Sequence, residues 1–144
     1  MPNGIKINGM ADLERKLKAL GSETIAKRVL RKAIRAGVKP ILSAARANVP
    51  VESGALKKSL ANKVKVNKSA AYGLVGPATD YVGENGQRPS KYAHLVEYGH
   101  VSKTGQVIPP HPFIRTTADE SLSGARDAYA EKLAAEIEAE ASKA

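Results

Sequence analysis

An apolar repeat of period four constrains this chain more than any other feature. Ile25, Val29, Ala33, Gly37, Ile41 and Ala45 recur every fourth residue, and Leu30, Ile34 and Leu42 widen the stripe. That spacing belongs to one long helix with one side against a core. Ser22 is placed to cap its start, and the pattern runs to about Asn48. Pro40 lies inside the run, where it removes a backbone donor and disfavours helical geometry at Lys39, so a kink near residues 36–40 is expected. Gly37 makes that bend easier.

A helix with one apolar face needs a partner layer, and the rest of the chain supplies short elements of both kinds. Ile5 and Ile7 alternate with polar residues as in a strand, and Asn8-Gly9 then turns the chain. Leu13, Leu17 and Leu20 mark a helix over Ala11–Leu20, ended by Gly21. Residues 61–66 and 72–75 change to period two around an Asn67–Ala70 turn, which predicts an antiparallel hairpin. Tyr92–Tyr98 returns to a short helix, Phe113-Ile114 reads as a last short strand, and Leu122, Tyr129, Leu133 and Ile137 mark one side of a C-terminal helix over about 117–143. Residues 82–91 and 99–110 read as two long loops, expected to be mobile.

The length of 144 residues fits a single domain, 1–144. Together these elements predict an α+β fold: a small antiparallel sheet from residues near 61–82 and 112–115, packed by a long kinked N-terminal helix and a C-terminal helix.

Composition limits the chemistry. With no cysteine and aromatics at 4%, the core must be built from Ala, Val, Ile and Leu, and disulfides, thiolate ligands and thiol nucleophiles are excluded. No stretch approaches the roughly 18 to 20 apolar residues that cross a membrane, so a soluble, cytosolic chain is expected. His94, His100 and His111 are the obvious ligands or general bases, but their spacing matches no common metal motif. Ser53 and Ser59 lack a nucleophile-elbow context, and Gly83–Gly86 lacks the Lys-Ser/Thr ending of a phosphate loop. Neither a catalytic residue, a metal site nor a cofactor is expected, and the chain is not read as an enzyme.

Charge is the informative quantity. Residues 1–68 hold 16 Lys and Arg against 4 acids, a balance of +12, whereas residues 116–144 hold 3 against 7, a balance of −4. Lys27, Arg28, Arg31, Lys32, Arg35, Lys39 and Arg46 populate the polar side of the long helix. A basic front and an acidic tail fit either a polyanion-binding surface or complementarity between identical neighbours. The Lys27–Lys39 helix face gives the alternative function, a basic DNA-binding protein, although no aromatic lies among these cations for base stacking.

Three segments occur in a telling order. The first runs from Arg31-Lys32-Ala33 through Lys39-Pro40-Ile41-Leu42 to Ala44–Val51 and Ser53-Gly54-Ala55-Leu56. The second is Tyr92-Ala93-His94-Leu95-Val96-Glu97-Tyr98-Gly99-His100, and the third Pro110-His111-Pro112-Phe113-Ile114-Arg115. In register they resemble the small tail-component family of long-tailed, lambdoid-type bacteriophages, also found in prophages and gene transfer agents. Val49 stands where that family usually has Ala, and His100 where it usually has Thr. The resemblance implies a structural virion protein at the head-proximal end of the tail, made in the host cytoplasm and working in tail completion or head–tail joining as a ring, commonly of six copies. It implies neighbours above and below, namely head-tail connector and tail terminator or tail tube proteins, and contact with packaged DNA passing through the lumen.

For such a ring, Lys27, Arg31, Arg35, Glu97, Tyr98, Arg115, Glu131 and Glu138 are the expected assembly residues. Pro40, Gly54, Gly99, Pro112 and Phe113 are expected to shape the scaffold, with Phe113, the only Phe, as a core anchor.

Overall fold

The computed structural model describes residues 4–6, 21, 23–51 and 54–143, without the side chains of residues 4–6 and 141. The helix expected over Ala11–Leu20, the Asn8-Gly9 turn and the Ser22 cap lie outside the described residues. In chain order the elements are β1 (Gly4–Lys6), α1 (Glu23–Asn48), α2 (Ala55–Ser59), β2 (Leu60–Val66), β3 (Ala71–Pro77), α3 (Pro89–Tyr98), β4 (His100–Val101), β5 (Val107–Ile108) and α4 (Arg115–Ala141). The fold is α+β, as the period changes require.

Two sheets form, one of three strands in the order β1-β3-β2 and one of two, β4-β5. The third strand of the larger sheet is β1, paired antiparallel with β3 through Gly4 opposite Leu74 and Lys6 opposite Tyr72. Residues 112–115 do not supply it. Phe113 and Ile114 instead bend into the start of α4, because their amides are bound by a carboxylate. The expected loop over 99–110 contains a hairpin, His100 opposite Ile108 and Val101 opposite Val107. The expected loop over 82–91 ends early, because Pro89 opens α3. Proline suits a first helical turn, where its missing N–H has no intrahelical partner to lose.

The described backbone clusters into two compact units. One comprises Gly4–Pro40, Asn62–Leu74 and the chain from Ser123 onward. There Ala26, Val29 and Leu30 of α1 form a buried cluster with Ile25, Val66, Leu133 and Ile137 packed around it. This is the period-four stripe at work, each fully buried Val or Leu contributing about 1.5–3 kcal/mol. Two glycines let backbones approach closely. A Cβ on Gly37 would lie 3.1 Å from the Tyr129 Cβ and 3.2 Å from the Ala125 carbonyl oxygen of α4. A Cβ on Gly73 of β3 would lie 2.5 Å from Val38 Cγ1 and 3.0 Å from Ile34 Cγ2. Gly37 thus serves helix–helix contact, and α1 continues unbroken through Pro40. Val38, Ile41 and Leu42 are buried on both sides of the proline, and their packing outweighs the lost N–H.

The other unit comprises Ile41–Ala61 and Val75–Leu122. Its buried residues include Ile41, Leu42, Ala45, Val49, Leu56, Leu60, Val75 and Ala93, and Phe113, expected as a core anchor, is fully buried. Polar groups brace it. Arg46 Nη2 donates to the Leu60 carbonyl at 2.7 Å, Ser59 Oγ to the Leu56 carbonyl at 2.7 Å, and the Ala78 amide to the Ser59 carbonyl at 2.8 Å.

Substituting Gly73→Ala is expected to destabilise the protein by about 1–3 kcal/mol through overpacking against Val38. Urea unfolding checks this, and Val38→Ala in the same chain should recover part of the loss. An unchanged midpoint for Gly73→Ala would show that the strand does not sit against α1 at this point.

Candidate assembly surface

The junction between α3 and α4 is fixed by one buried carboxylate. Glu97 Oε2 accepts the amides of Phe113 at 3.0 Å and Ile114 at 3.2 Å, and Oε1 accepts that of Arg115 at 2.9 Å. These are N–H groups at the start of α4, which have no intrahelical acceptor and carry the positive end of the helix dipole. Thr117 continues the cap, its hydroxyl donating to the Phe113 carbonyl at 2.6 Å and accepting Asn48 Nδ2 at 3.3 Å. Glu97 was expected at an interface, but it lies inside, because three amides 16 to 18 residues further on satisfy its charge.

Its expected companions stand at the surface directly above. The Arg115 guanidinium carbon lies 5.0 Å from the centre of the Tyr98 ring, a cation–π contact, and Tyr98 is 50% exposed. Gly99 then turns the chain into β4 with φ 73 and ψ 169. This extended mirror region is open only to glycine. A Cβ there would meet the Ile108 carbonyl oxygen at 2.7 Å and the Pro110 nitrogen at 2.8 Å. The hairpin base is tied to α3 by the His111 amide, which donates to the Val96 carbonyl at 2.8 Å. Pro112 is half-buried beside Phe113 in sequence, and Gly54, at φ 78, opens α2.

The hairpin carries an apolar pair that sequence reasoning missed. Val101 and Val107 face each other across β4 and β5 and are 66% and 73% exposed. A cross-strand valine pair of this kind is normally covered. Two apolar residues within a polar loop were the signal, too short to show a period.

The charged residues divide into spent and unspent. Lys27 pairs with Glu23 at 2.9 Å, Arg28 with Glu140 at 2.6 Å, and Lys32 with Glu136 at 3.4 Å. Two cations of the basic front, Arg28 and Lys32, are therefore answered by the same chain's acidic tail. Arg31, Arg35 and Lys39, one stripe at spacing four, are exposed and have no ion-pair partner among the described residues. On α4, Gly124, Asp127, Glu131, Ala134 and Glu138 alternate at spacings of three and four, which sets them on one helical face, and all are exposed. Asp127, Glu131 and Glu138 also have no ion-pair partner among the described residues. The structure thus separates the expected assembly residues into Arg31, Arg35, Glu131 and Glu138 in one unit and Tyr98 and Arg115 in the other.

His94 and His111 are exposed, and the Nδ1 of half-buried His100 is enclosed without a hydrogen-bond partner. Among the described residues no three acidic or histidine side chains gather as a metal site. No helix there is long and apolar enough to cross a membrane.

The described residues thus pair an α+β scaffold with exposed charge on α1 and α4 and an exposed valine pair on the β4–β5 hairpin. The family model described as "Bacteriophage HK97-gp10, putative tail-component" matches residues 11–99, more than half of the chain, and the chain belongs to this phage tail-component family. The match covers the α1 and α3 segments and ends before the proline-rich turn into α4. No curated protein and no solved structure matches the chain.

Two outcomes follow. Glu97→Ala strands three amides at a helix start and is expected to cost about 2–3 kcal/mol, read as a lowered urea midpoint. An unchanged midpoint would show the cap to be dispensable. The second concerns pH. The hydrogen bond from Lys132, with Lys32 nearby, holds the Glu136 carboxyl below its ordinary value, and that from Arg28 does the same for Glu140. A depressed folded-state value means stabilisation present above the ordinary glutamate range and lost as pH falls through the lowered one. Carbon-detected NMR titration of Arg28→Ala should move the Glu140 midpoint upward toward the ordinary value. A midpoint that stays put would exclude the ion pair.

Proposed function

We propose that this tail component completes the head-proximal end of the tail as a ring of identical subunits, six in number, between head-tail connector and tail terminator or tail tube proteins. The observation that carries this reading is the exposed Val101–Val107 pair on a hairpin anchored at both ends. Strands of two residues are marginal by themselves, and covering the pair with a neighbour stabilises both partners. A hairpin with internal turn hydrogen bonds and a base tied to α3 suits a ring, since less ordering entropy is lost on contact.

The unspent charges support the same reading. Arg31, Arg35 and Lys39 on one copy complement Asp127, Glu131 and Glu138 on the next. Such a contact is heterologous, and heterologous contacts close into rings when the rotation fits. Lys27 stands at the rim of this contact, while Tyr98 and Arg115 flank the hairpin.

Analytical ultracentrifugation tests the proposal. Val101→Asp with Val107→Asp is expected to shift the ring to monomers while circular dichroism stays unchanged. Arg31→Glu with Arg35→Glu should do the same, and adding Glu131→Arg with Glu138→Arg should restore the ring. A wild-type chain that remains a monomer at high concentration, or variants that assemble like wild type, would refute it.

A further inference from the structure

We infer that the outer face of the β2–β3 hairpin binds the phosphate backbone of duplex DNA. Between residues 53 and 79 the chain carries Lys57, Lys58, Lys63, Lys65 and Lys68 and no acidic residue. Lys63 and Lys65 on β2 and Lys68 in the turn are exposed, and none has an ion-pair partner among the described residues. The pleat places Lys63 and Lys65 on one side of the strand. Val66, on the other side, packs toward Ala26, Val29 and Leu30, and Gly73 of β3 lies against Val38 and Ile34. Helix α1 therefore covers the opposite face, and the lysines point away from it.

The spacing fits a phosphate row. Two residues along a strand advance about 7 Å, and each DNA strand carries one phosphate charge per nucleotide, so Lys63 and Lys65 can each meet a separate phosphate. The turn fixes Lys68 beside them. Asn67 Oδ1 accepts the amides of Ser69 at 3.0 Å and Ala70 at 2.8 Å and the Ser69 hydroxyl at 3.1 Å, and the Asn67 amide donates to the Ala70 carbonyl at 2.9 Å. A protein partner would need an apolar anchor at the centre of its contact. The large exposed hydrophobics, Val51, Val82, Tyr98, Val101 and Val107, all lie outside residues 60–77. What this face offers is charge alone, and charge alone is what sequence-independent phosphate binding uses. The inference deepens the ring reading, on which it rests, by turning these lysines toward the channel through which DNA passes.

The test is the salt dependence of binding to a short random-sequence duplex, read by fluorescence anisotropy, alongside sedimentation of the same samples. The plot of log affinity against log salt should flatten by about 2 to 3 in the Lys63→Ala, Lys65→Ala, Lys68→Ala triple variant, at about 0.9 per phosphate contact. Arg88→Ala with Lys91→Ala, two exposed cations outside this face and outside the ring contact, should keep the wild-type slope. The three single lysine-to-glutamine variants, each expected to lower the slope by about 0.9, serve if the triple variant does not fold. Equal slopes for wild type and the lysine variants, or loss of slope in the Arg88/Lys91 variant instead, would overturn the inference. Sedimentation separates the two claims: an intact ring with lysine-independent DNA binding removes this inference alone, whereas a monomer removes the ring reading.

Discussion

Glu97 is a charged side chain with almost no contact with water, held by three backbone amides at the start of a 27-residue helix. Burying a carboxylate is costly unless its lone pairs are filled, and orphan amides at a helix start are costly for the same reason. Each deficit answers the other, so α3 cannot shift against the start of α4 without exposing both. Everything between the two ends of this contact is thereby bracketed. The Gly99 turn, the β4–β5 hairpin, the proline-rich return and the Phe113 anchor all lie between Glu97 and Arg115. The hairpin can then project an apolar pair outward without its own strands having to supply the stability.

Opposite charges placed far apart in the sequence perform two tasks in this chain. Arg28 and Lys32 meet Glu140 and Glu136, residues 112 and 104 positions away, and help hold the C-terminal half of α4 in its unit. Exposed pairs of this type contribute modestly each and weaken with salt, so they orient the helix more than they stabilise it. The charges left over, on one face of α1 and one face of α4, are the ones available to a neighbour. A Cβ on Gly37 would press on the Tyr129 Cβ and the Ala125 carbonyl at 3.1 and 3.2 Å, so the bare glycine lets α1 and α4 approach closely in the unit where these pairs form.

Much of the fold was legible because its signals are periodic. The fourfold repeat of α1, the twofold alternation around the Asn67 turn and the sparse seam of α4 each gave the element and its buried side. The pairing of β1 with β3 was not legible, since a three-residue strand some seventy positions from its partner carries no local mark of where it joins. Nor was the hairpin at residues 100–108, whose apolar residues face outward and so break the inside–outside rule used to read strands. Glu97 looked like a surface acid because its partners are backbone amides, which every sequence has and none advertises. The roles of Gly37 and Gly73 depend on what lies opposite them in space, and the charge split read as an intermolecular signal is partly consumed within the chain. The candidate assembly surface was therefore legible only as a composition, because which charges stay unpaired depends on contacts made in space.

In the proposed ring this subunit sits where head meets tail, presenting its hairpin to a neighbour. Electron microscopy of purified particles carrying a gold-labelled affinity tag at the C-terminus of this chain tests it directly. Label is expected only at the head-proximal end of the tail, arranged as a closed ring. Label spread along the tail shaft, at the distal tip, or absent from finished particles would contradict it.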